Sequence, residues 1–424
     1  MDLEKRLRVH TVLHWAWVIL ILCFGNLFIN YGIRLGYGVV LPEMIRTLGF
    51  SRMQGGDIFN AYLFAYIVIS PLTGYLTDRF GARKVISSFG VLLGSGTLLM
   101  GTSKSFGQAS VFFALVGIGA SGMWIPVLII AQRWFALKKR GMALGVMSTG
   151  FGLGFAVVGR VFPIIVERWN WRYCWYLLGV AALVMVVVNA FLVRSRPEDL
   201  KLEPWGGEPN GKEILGVIKA PGTKGRYSEF ITTSGFWLIG FSYFFISVSL
   251  YSVTTYLVDY ARYNLGFPYR EASQLATLHG SGQMIGVLTL PLLSDYIGRR
   301  LTIAISNFII AGSIASIILS GGHTCGLWAS VVVLGAFYGA TFPMYGACGG
   351  DYFNKEIIGR VIGAWTPFYG LGAIVGHRFA GYFRDVTGSF LIPFQATILT
   401  ALMASALVLF VKRPNGNPSI PPSG

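Results

Sequence analysis

Long apolar runs recur from one end of the chain to the other, separated by short polar segments. About twenty helical residues cross a hydrocarbon core of roughly 30 Å, so each run predicts one spanning helix. Lipid offers no partner for exposed backbone N–H and C=O groups, so these runs must be helical. We predict twelve spanning helices, at 13–41, 57–76, 85–103, 109–133, 142–165, 173–193, 234–258, 272–294, 301–319, 326–350, 360–381 and 390–411. The predicted fold class is an all-α polytopic membrane protein.

One polar stretch is longer than the others and divides the chain into halves. Residues 194–232 are rich in proline and glycine, which is typical of a linker. We therefore expect an N-terminal six-helix bundle at 1–193, a cytoplasmic linker at 194–232, and a C-terminal six-helix bundle with a short tail at 233–424. The first apolar run is too long for the h-region of a removable signal peptide.

Composition and charge agree with this organisation. Hydrophobic residues make up 54% of the chain and charged residues 12%, against about 25% charged in soluble proteins. The net charge of +16 arises because Lys and Arg concentrate in alternate loops, roughly three times as many on one side as on the other. The positive-inside rule makes that side cytoplasmic and places both termini there. We predict a multi-pass protein of the cell (inner) membrane, in contact with lipid, with no nucleic-acid partner.

The chain shows no signature of catalysis or of a bound metal. Its four cysteines lie in or beside apolar runs, and no pair has metal-ligand spacing. The nucleotide-binding, zinc-protease and serine-nucleophile motifs do not occur. We therefore expect no enzyme activity, no metal and no cofactor.

The two halves repeat each other at a nearly constant offset. GYLTDRFGARK follows the second predicted helix, and PLLSDYIGRRL follows the eighth. The residues that recur 217 positions later are Asp78, Gly81 and Arg83, as Asp295, Gly298 and Arg300. A second block, from Phe135 to Gly154, recurs 218 positions later. A parallel six-plus-six repeat is the design of carriers that rock two halves about a central site, so the repeat predicts alternating access.

GYLTDRFGARK resembles the helix 2–3 loop motif of the major facilitator superfamily, and with twelve helices the resemblance covers the whole chain. The resemblance implies that this loop and its second copy act as a gating motif between conformations. Simple anchoring of topology is the alternative explanation. The residues of the predicted gating motif are Gly74, Asp78, Arg79, Gly81, Arg83, Lys84, Asp295, Gly298, Arg299 and Arg300.

A narrower resemblance lies in RWFALKKRGMALGVMSTG, from Arg133 to Gly150, and in YGIRLGYGVVLPEM, from Tyr31 to Met44. Both are similar to the branch of monocarboxylate transporters and oxalate–formate exchangers. That branch often carries an Asp–Arg pair in helix eight for substrate and proton. Here Gln283 and Val287 stand at those positions, which puts the usual coupling device in doubt.

Ionisable residues inside predicted spanning helices are functional candidates, because burying a charge in lipid costs several kcal/mol. Arg34, Arg160, Arg378 and His279 are predicted at a similar depth, and acidic residues are expected only near helix ends and in loops. Guanidinium groups without carboxylates suit a bound anion, which they can grip with two hydrogen bonds. Arg160 and Arg378 have an alternative, since their long side chains can reach the membrane interface.

Polar and aromatic residues on the same helices complete the predicted substrate site, although each is more often a packing residue than a ligand. The predicted substrate-binding residues are Asn30, Tyr31, Arg34, Tyr37, Trp124, Arg160, Tyr251, His279, Gln283, Tyr338, Trp365, Tyr369 and Arg378.

These observations favour a secondary active transporter of a small organic anion that functions as a monomer. A carboxylate is the favoured class of substrate. Proton-coupled symport through His279 and anion exchange are both open as coupling modes. Export of a drug-like or neutral solute is the alternative, suggested by the glycines of helix five. A signalling receptor is disfavoured because residues 194–232 are too short to form an output domain.

Overall fold

The computed structural model describes residues 14–207, 228–353 and 358–411. The middle of the predicted linker, the basic residues Lys5, Arg6, Arg8, Lys355, Lys412 and Arg413, and both chain ends lie outside the described residues.

Twelve long helices, in two sets of six, account for most of the described residues. The first six are α1 (Trp15–Leu48), α2 (Arg52–Phe80), α3 (Ala82–Thr102), α4 (Phe106–Ser121 and Ile125–Trp134), α5 (Leu137–Arg168) and α6 (Arg172–Leu192). The second six are α7 (Ser234–Tyr263), α8 (Tyr269–Ile297), α9 (Arg299–Leu319), α10 (Thr324–Tyr352), α11 (Ile358–Thr387) and α12 (Leu391–Leu409). The predicted fold class is confirmed, and most helices extend beyond their predicted bounds.

Ten of the twelve helices are long and apolar enough to span a membrane. The other two, α8 and α11, are equally long, at 29 and 30 residues, and carry more polar and charged side chains. Polar residues in a spanning helix face the interior of a bundle rather than lipid. The chain is therefore a multi-pass membrane protein.

Helix α4 departs from the prediction of a single continuous helix. It is interrupted between Ser121 and Ile125, and the following residue, Pro126, stands in the first turn of the second segment. Proline has no backbone N–H and is tolerated in a first turn, where no partner is needed. The interruption redirects the chain at Trp124, whose ring then reaches the space between the halves.

The internal repeat appears in the backbone and in side-chain contacts. Gly81 and Gly298 have φ angles of +85° and +87° and connect the second and third helices of their halves. Arg83 donates to the carbonyl of Ala190 near the end of α6, and Arg300 donates to the carbonyl of Val411 just after α12, 2.7 Å away. Each arginine thus ties the third helix of its half to the last one.

The two halves meet along α1 with α7, α2 with α11, and α5 with α8. The closest approach of α5 to α8 is at Gly152 and Gly280. A Cβ atom on either residue would lie 2.4 Å from the carbonyl oxygen of the other, a distance that real side chains do not occupy. The backbones touch here because neither residue has a side chain, as at other close helix crossings in membranes.

The first part of the predicted linker packs against the N-terminal half. A 3₁₀ turn at Pro197–Leu200 leads to Trp205, whose amide donates to the carbonyl of Trp134 at 2.9 Å. The ring of Trp205 packs edge-on against Trp17 at 4.9 Å. This segment therefore covers the loop between α4 and α5. A short helix at Ser228–Ile231 precedes α7.

Replacing Gly81 or Gly298 with alanine is expected to destabilise the protein, because the φ and ψ angles at both positions are costly for a residue with a Cβ. The expected loss is about 1–3 kcal/mol per site. Thermal unfolding of purified protein in detergent would show this as a lower melting temperature. Gly74→Ala is the matched control, since a Cβ there would meet nothing within 4 Å. Equal melting temperatures for Gly74→Ala and Gly81→Ala would contradict the argument.

Candidate functional site

Two faces of the bundle serve as references. The basic face is the side where α1 begins, and its connections carry Arg79, Lys84, Lys139 and Arg299. The opposite face is the side where α1 ends and α2 begins. Arg34 lies on α1 between the two, where α1 meets α7.

Arg34 is enclosed by tyrosine rings from both halves. Its guanidinium carbon lies 5.6 Å from the ring centre of Tyr31, 5.8 Å from those of Tyr62 and Tyr66, and 5.7 Å from that of Tyr251. Arg34 Nη2 also donates a hydrogen bond to the hydroxyl of Tyr251 on α7. We call Arg34 and these four tyrosines the tyrosine cage. A cation over a ring face gains about 0.5–2 kcal/mol, so the rings partly replace the water that Arg34 gives up.

The charge of Arg34 has no carboxylate partner within 4 Å among the described residues. Three buried polar atoms in this region also have no hydrogen-bond partner there: Arg34 Nε, Asn30 Oδ1 and the Tyr62 hydroxyl. Asn30 precedes Arg34 by one helical turn and therefore lies on the same side of α1. Buried polar atoms are rarely left unpaired, and those that are require an explanation.

His279 and Gln283 form a polar pair on α8. His279 is fully buried, with Nε2 3.3 Å from the Thr254 hydroxyl and Nδ1 3.0 Å from Gln283 Nε2. Its ring packs edge-on against Tyr338 at 5.2 Å. The predicted residues His279, Gln283 and Tyr338 are therefore neighbours. Tyr338 in turn packs against Tyr251 of the tyrosine cage, with ring centres 6.5 Å apart.

Further aromatic residues line the approach from the basic face. Tyr369 stacks on Tyr243 at 4.4 Å and meets Tyr251 edge-on at 5.6 Å. Trp124 of α4 meets Phe342 of α10 edge-on at 5.6 Å, and this contact joins the two halves. Trp365 lies further away, with Nε1 donating to the carbonyl of Phe236 at 3.0 Å, and it contacts the tyrosine cage in none of the described interactions.

Three predicted residues lie apart from the tyrosine cage. The Tyr37 hydroxyl donates to the carbonyl of Gly55 at 2.6 Å, so its polar group is used within the N-terminal half. Arg160 is exposed on the outer surface of α5. Arg378 is also largely exposed, with 59% of its side chain accessible. The structure thus brings Arg34 together with tyrosines but does not bring the three predicted arginines together.

The expectation that the intramembrane arginines lack acidic partners is wrong for Arg378. Its Nε lies 3.3 Å from Asp57 of α2. The prediction failed because α2 begins at Arg52, earlier than expected. Asp57 therefore lies one turn inside α2, where α2 packs against α11.

Ion pairs between the halves close the opposite face. Glu43 of α1 pairs with Arg262 of α7, and Arg52 of α2 pairs with Asp259 of α7 at 3.1 Å. The carboxylate of Asp385 on α11 accepts the backbone N–H of Arg52 at 2.9 Å and thereby caps the start of α2. Together with the pair between Asp57 and Arg378, these contacts hold α1 and α2 against α7 and α11.

A buried histidine, His377 of α11, links three helices just beneath these ion pairs. Its Nδ1 lies 2.8 Å from Asn60 Oδ1 on α2, and its Nε2 lies 2.8 Å from the Thr255 hydroxyl on α7. Its ring also meets Tyr251 at 5.4 Å. His377 therefore connects the closed opposite face with the tyrosine cage.

The predicted gating motif lies on the basic face, and each copy contacts its own half. Arg79 donates to the Tyr75 hydroxyl at 3.0 Å, and Arg299 pairs with Asp295 and Asp351. Asp78 and Lys84 are exposed. In this conformation no hydrogen bond or ion pair of the motif crosses between the halves within the described residues, so the gating role stays a prediction.

Sequence reasoning missed Tyr62 and Tyr66, which supply two of the four rings. The internal repeat carried a signal for both. Moving 217 positions along the chain maps Tyr62 onto His279 and Tyr66 onto Gln283, two residues that were predicted. Applying the repeat to the predicted site as well as to the loop motif would have identified them.

A duplicated bundle of twelve helices, closed at one face and enclosing a guanidinium that has no carboxylate partner among the described residues, is a membrane transport protein and not an enzyme. The comparisons with known proteins identify its family. The sequence model of the Major Facilitator Superfamily matches residues 22–376 and 239–424. The chain belongs to the major facilitator superfamily, as the loop motif predicted.

Similar proteins include the probable galactarate/D-glucarate transporter GarP of Escherichia coli K12, which is 26% identical, with 96% of each chain covered. Monocarboxylate transporter 13 of Bos taurus is 23% identical, with 93% of this chain and 89% of the relative covered. Among solved structures, a bacterial homologue of the human lysosomal transporter Spinster, inward-facing and occupied, has a TM-score of 0.74. It covers 94% of this chain and 97% of its own, and at 15% identity it supports the fold alone.

Removing the link between Glu43 and Arg262 is expected to open the opposite face, because the pair joins α1 to α7. Spin labels would report this opening by double electron–electron resonance. One label would be placed at Lys104, in the connection between α3 and α4, and the other at His323, in the connection between α9 and α10; both residues are exposed. The four native cysteines would first be replaced by alanine. We expect Arg262→Ala to increase the population with long label distances.

Arg46→Ala is the matched control for this measurement. Arg46 pairs with the same Glu43 but lies on the same helix, so it does not join the halves. A distance distribution shifted equally by Arg46→Ala and Arg262→Ala would show that the pair between α1 and α7 is not what closes this face.

Proposed function

We propose that this protein is a secondary active transporter of a small organic anion, a carboxylate, working by alternating access. The observation that supports this most is the buried guanidinium of Arg34, which has tyrosine rings around it and no carboxylate partner among the described residues. An anion is the ligand that completes such a site, because it supplies the missing charge.

The names of similar proteins point the same way. One relative is named for galactarate and D-glucarate and another for monocarboxylates, and all of these substrates are carboxylates. A cationic drug is disfavoured as cargo because it would meet the charge of Arg34 in a buried site. Export of a neutral solute leaves that charge without a function.

The closed opposite face and the motif contacts on the basic face support an alternating cycle. We take the basic face as cytoplasmic, following the positive-inside rule. The described conformation is then closed toward the outside, and Trp124 with Phe342 narrows the path from the inside. A bound anion draws the Arg34 hydrogen bond away from Tyr251 and so acts on α7, which carries the partners of both outer ion pairs.

Arg34→Ala is expected to lower carboxylate uptake by roughly 10–100-fold, because hydrogen bonds to a charged group contribute about 1.5–3 kcal/mol. Uptake of labelled lactate, oxalate and galactarate into proteoliposomes would measure this, with a neutral sugar as the negative control. Arg160→Ala is the matched control, since Arg160 is exposed and outside the tyrosine cage. Carboxylate uptake that is unchanged in Arg34→Ala would show that Arg34 does not bind the substrate. Absence of uptake of all three acids would overturn the proposed function.

The tyrosine cage also bears on how transport is coupled. Four ring faces stabilise the guanidinium without a substrate, so the empty carrier can return through the closed state. Net uptake driven by a proton gradient is then possible, and it does not require a second anion inside. We propose proton symport through His279, whose ring nitrogens face the neutral partners Thr254 and Gln283.

An inward proton gradient is expected to accelerate uptake into proteoliposomes that contain no carboxylate. His279→Gln is expected to abolish this acceleration while leaving exchange between internal and external substrate intact, since Arg34 is unchanged. His323→Gln is the matched control, because His323 is exposed at a loop. Uptake that occurs only when the liposomes are loaded with a carboxylate would instead establish strict anion exchange.

A further inference from the structure

We propose that Asn30 makes the site selective for hydroxylated carboxylates by accepting a hydrogen bond from a substrate hydroxyl, beside the carboxylate that Arg34 and Tyr62 hold. This inference rests on the proposed function, because it assumes an anion bound at Arg34. It names one specificity-determining residue, Asn30, and one further carboxylate-binding residue, Tyr62, and narrows the class of substrate from carboxylates to hydroxy acids.

The three unpaired atoms belong to neighbouring residues of α1 and α2. Asn30 and Arg34 are one turn apart on α1, and the Tyr62 ring lies 5.8 Å from the Arg34 guanidinium. Asn30 is 3% exposed, and Tyr62 is fully buried. Asn30 Oδ1, Arg34 Nε and the Tyr62 hydroxyl each lack a hydrogen-bond partner in the described part of the chain. The cage thus presents one charged donor, one acceptor, and one hydroxyl that can donate or accept.

This set of atoms does not match a simple carboxylate. A carboxylate is an acceptor, so it pairs with Arg34 Nε and with the Tyr62 hydroxyl as donors. The Nδ2 group of Asn30 can donate to that carboxylate, but Asn30 Oδ1 is an acceptor and is left without a partner. It needs a donor on the substrate, close to the carboxylate.

A hydroxyl is the donor that fits this position. An ammonium group could also donate, but its charge would meet that of Arg34 in a buried site, where like charges repel strongly. A hydroxyl on the carbon next to the carboxylate carries no charge. Arg34 and Asn30 lie one helical turn apart on the same side of α1, so both side chains face the same part of the substrate.

The surrounding rings suit the remainder of such a substrate. Tyr31 stacks on Phe151 at 4.0 Å, and Tyr251 reaches Tyr369 at 5.6 Å. Ring faces accept the C–H edges of a carbon chain. A carboxylate without hydroxyls would use the rings but leave Asn30 Oδ1 buried and unpaired, and sites built to bind a hydroxyl reject analogues that lack it.

The test compares two pairs of acids that differ only in hydroxyl groups: galactarate with adipate, and lactate with propionate. Initial rates of uptake into proteoliposomes give the preference within each pair. We expect the wild type to prefer the hydroxylated acid of at least one pair by about tenfold or more, the effect of one unpaired buried group. Asn30→Leu is expected to bring the ratio close to one by slowing the hydroxylated acid alone.

Two further variants, Asn30→Ser and Tyr62→Phe, and one control complete the test. Asn30→Ser retains an oxygen acceptor and is expected to keep most of the preference, which separates loss of the acceptor from misfolding. Tyr62→Phe is expected to reduce uptake, and Tyr37→Phe is its control, because the Tyr37 hydroxyl is bonded to Gly55 outside the cage. Unchanged preference in Asn30→Leu, or equal wild-type uptake within both pairs, would overturn this inference alone. Uptake that does not depend on Arg34 would overturn the proposed function as well.

Discussion

A guanidinium buried between the two halves of a membrane protein is the constraint around which the rest of this structure is arranged. Removing such a charge from water costs several kcal/mol unless other groups compensate. Here the compensation comes from four ring faces and one tyrosine hydroxyl rather than from a carboxylate. The other three tyrosines belong to α1 and α2, the same half as Arg34, whereas Tyr251 belongs to α7, so only the ring and hydroxyl of Tyr251 are lost when the halves separate. Contact between the halves therefore completes the enclosure of Arg34.

The opposite face is closed by contacts that can break and form again. The carboxylates of Glu43 and Asp259 are buried, and their arginines are partly exposed. Desolvation of the buried charges offsets much of their attraction, so these pairs favour closure without fixing it. At Gly152 and Gly280 the backbones can touch and separate without rearranging side chains. His377 and Tyr251 connect these contacts to Arg34. A ligand that changes the hydrogen bond of Tyr251 thus acts on contacts whose open and closed states are close in free energy.

Much of this arrangement was predictable from the sequence, and the failures have identifiable causes. Hydropathy located twelve helices because the bilayer fixes their length and forces their backbone to be helical. Arg34 was found because a charge stands out in an apolar run. Tyr62 and Tyr66 were missed because a tyrosine in such a run is usually a packing residue, and the sequence does not state how a helix is rotated. The pair between Arg378 and Asp57 was missed because it depends on the start of α2, the least predictable part of a helix.

The internal repeat explains why the site lies where the two halves meet. Arg34 and Tyr251, which share the central hydrogen bond, are 217 positions apart and so are equivalent residues of the two halves. Equivalent residues of a twofold arrangement meet only near its axis. Away from the axis the scaffold has stayed symmetric, as Gly81 and Gly298 show, while at the axis the chemistry has diverged into a cation on one side and a phenol on the other. Two identical arginines there would repel each other, so divergence at the axis is what lets one charge be buried and offered to a single anion.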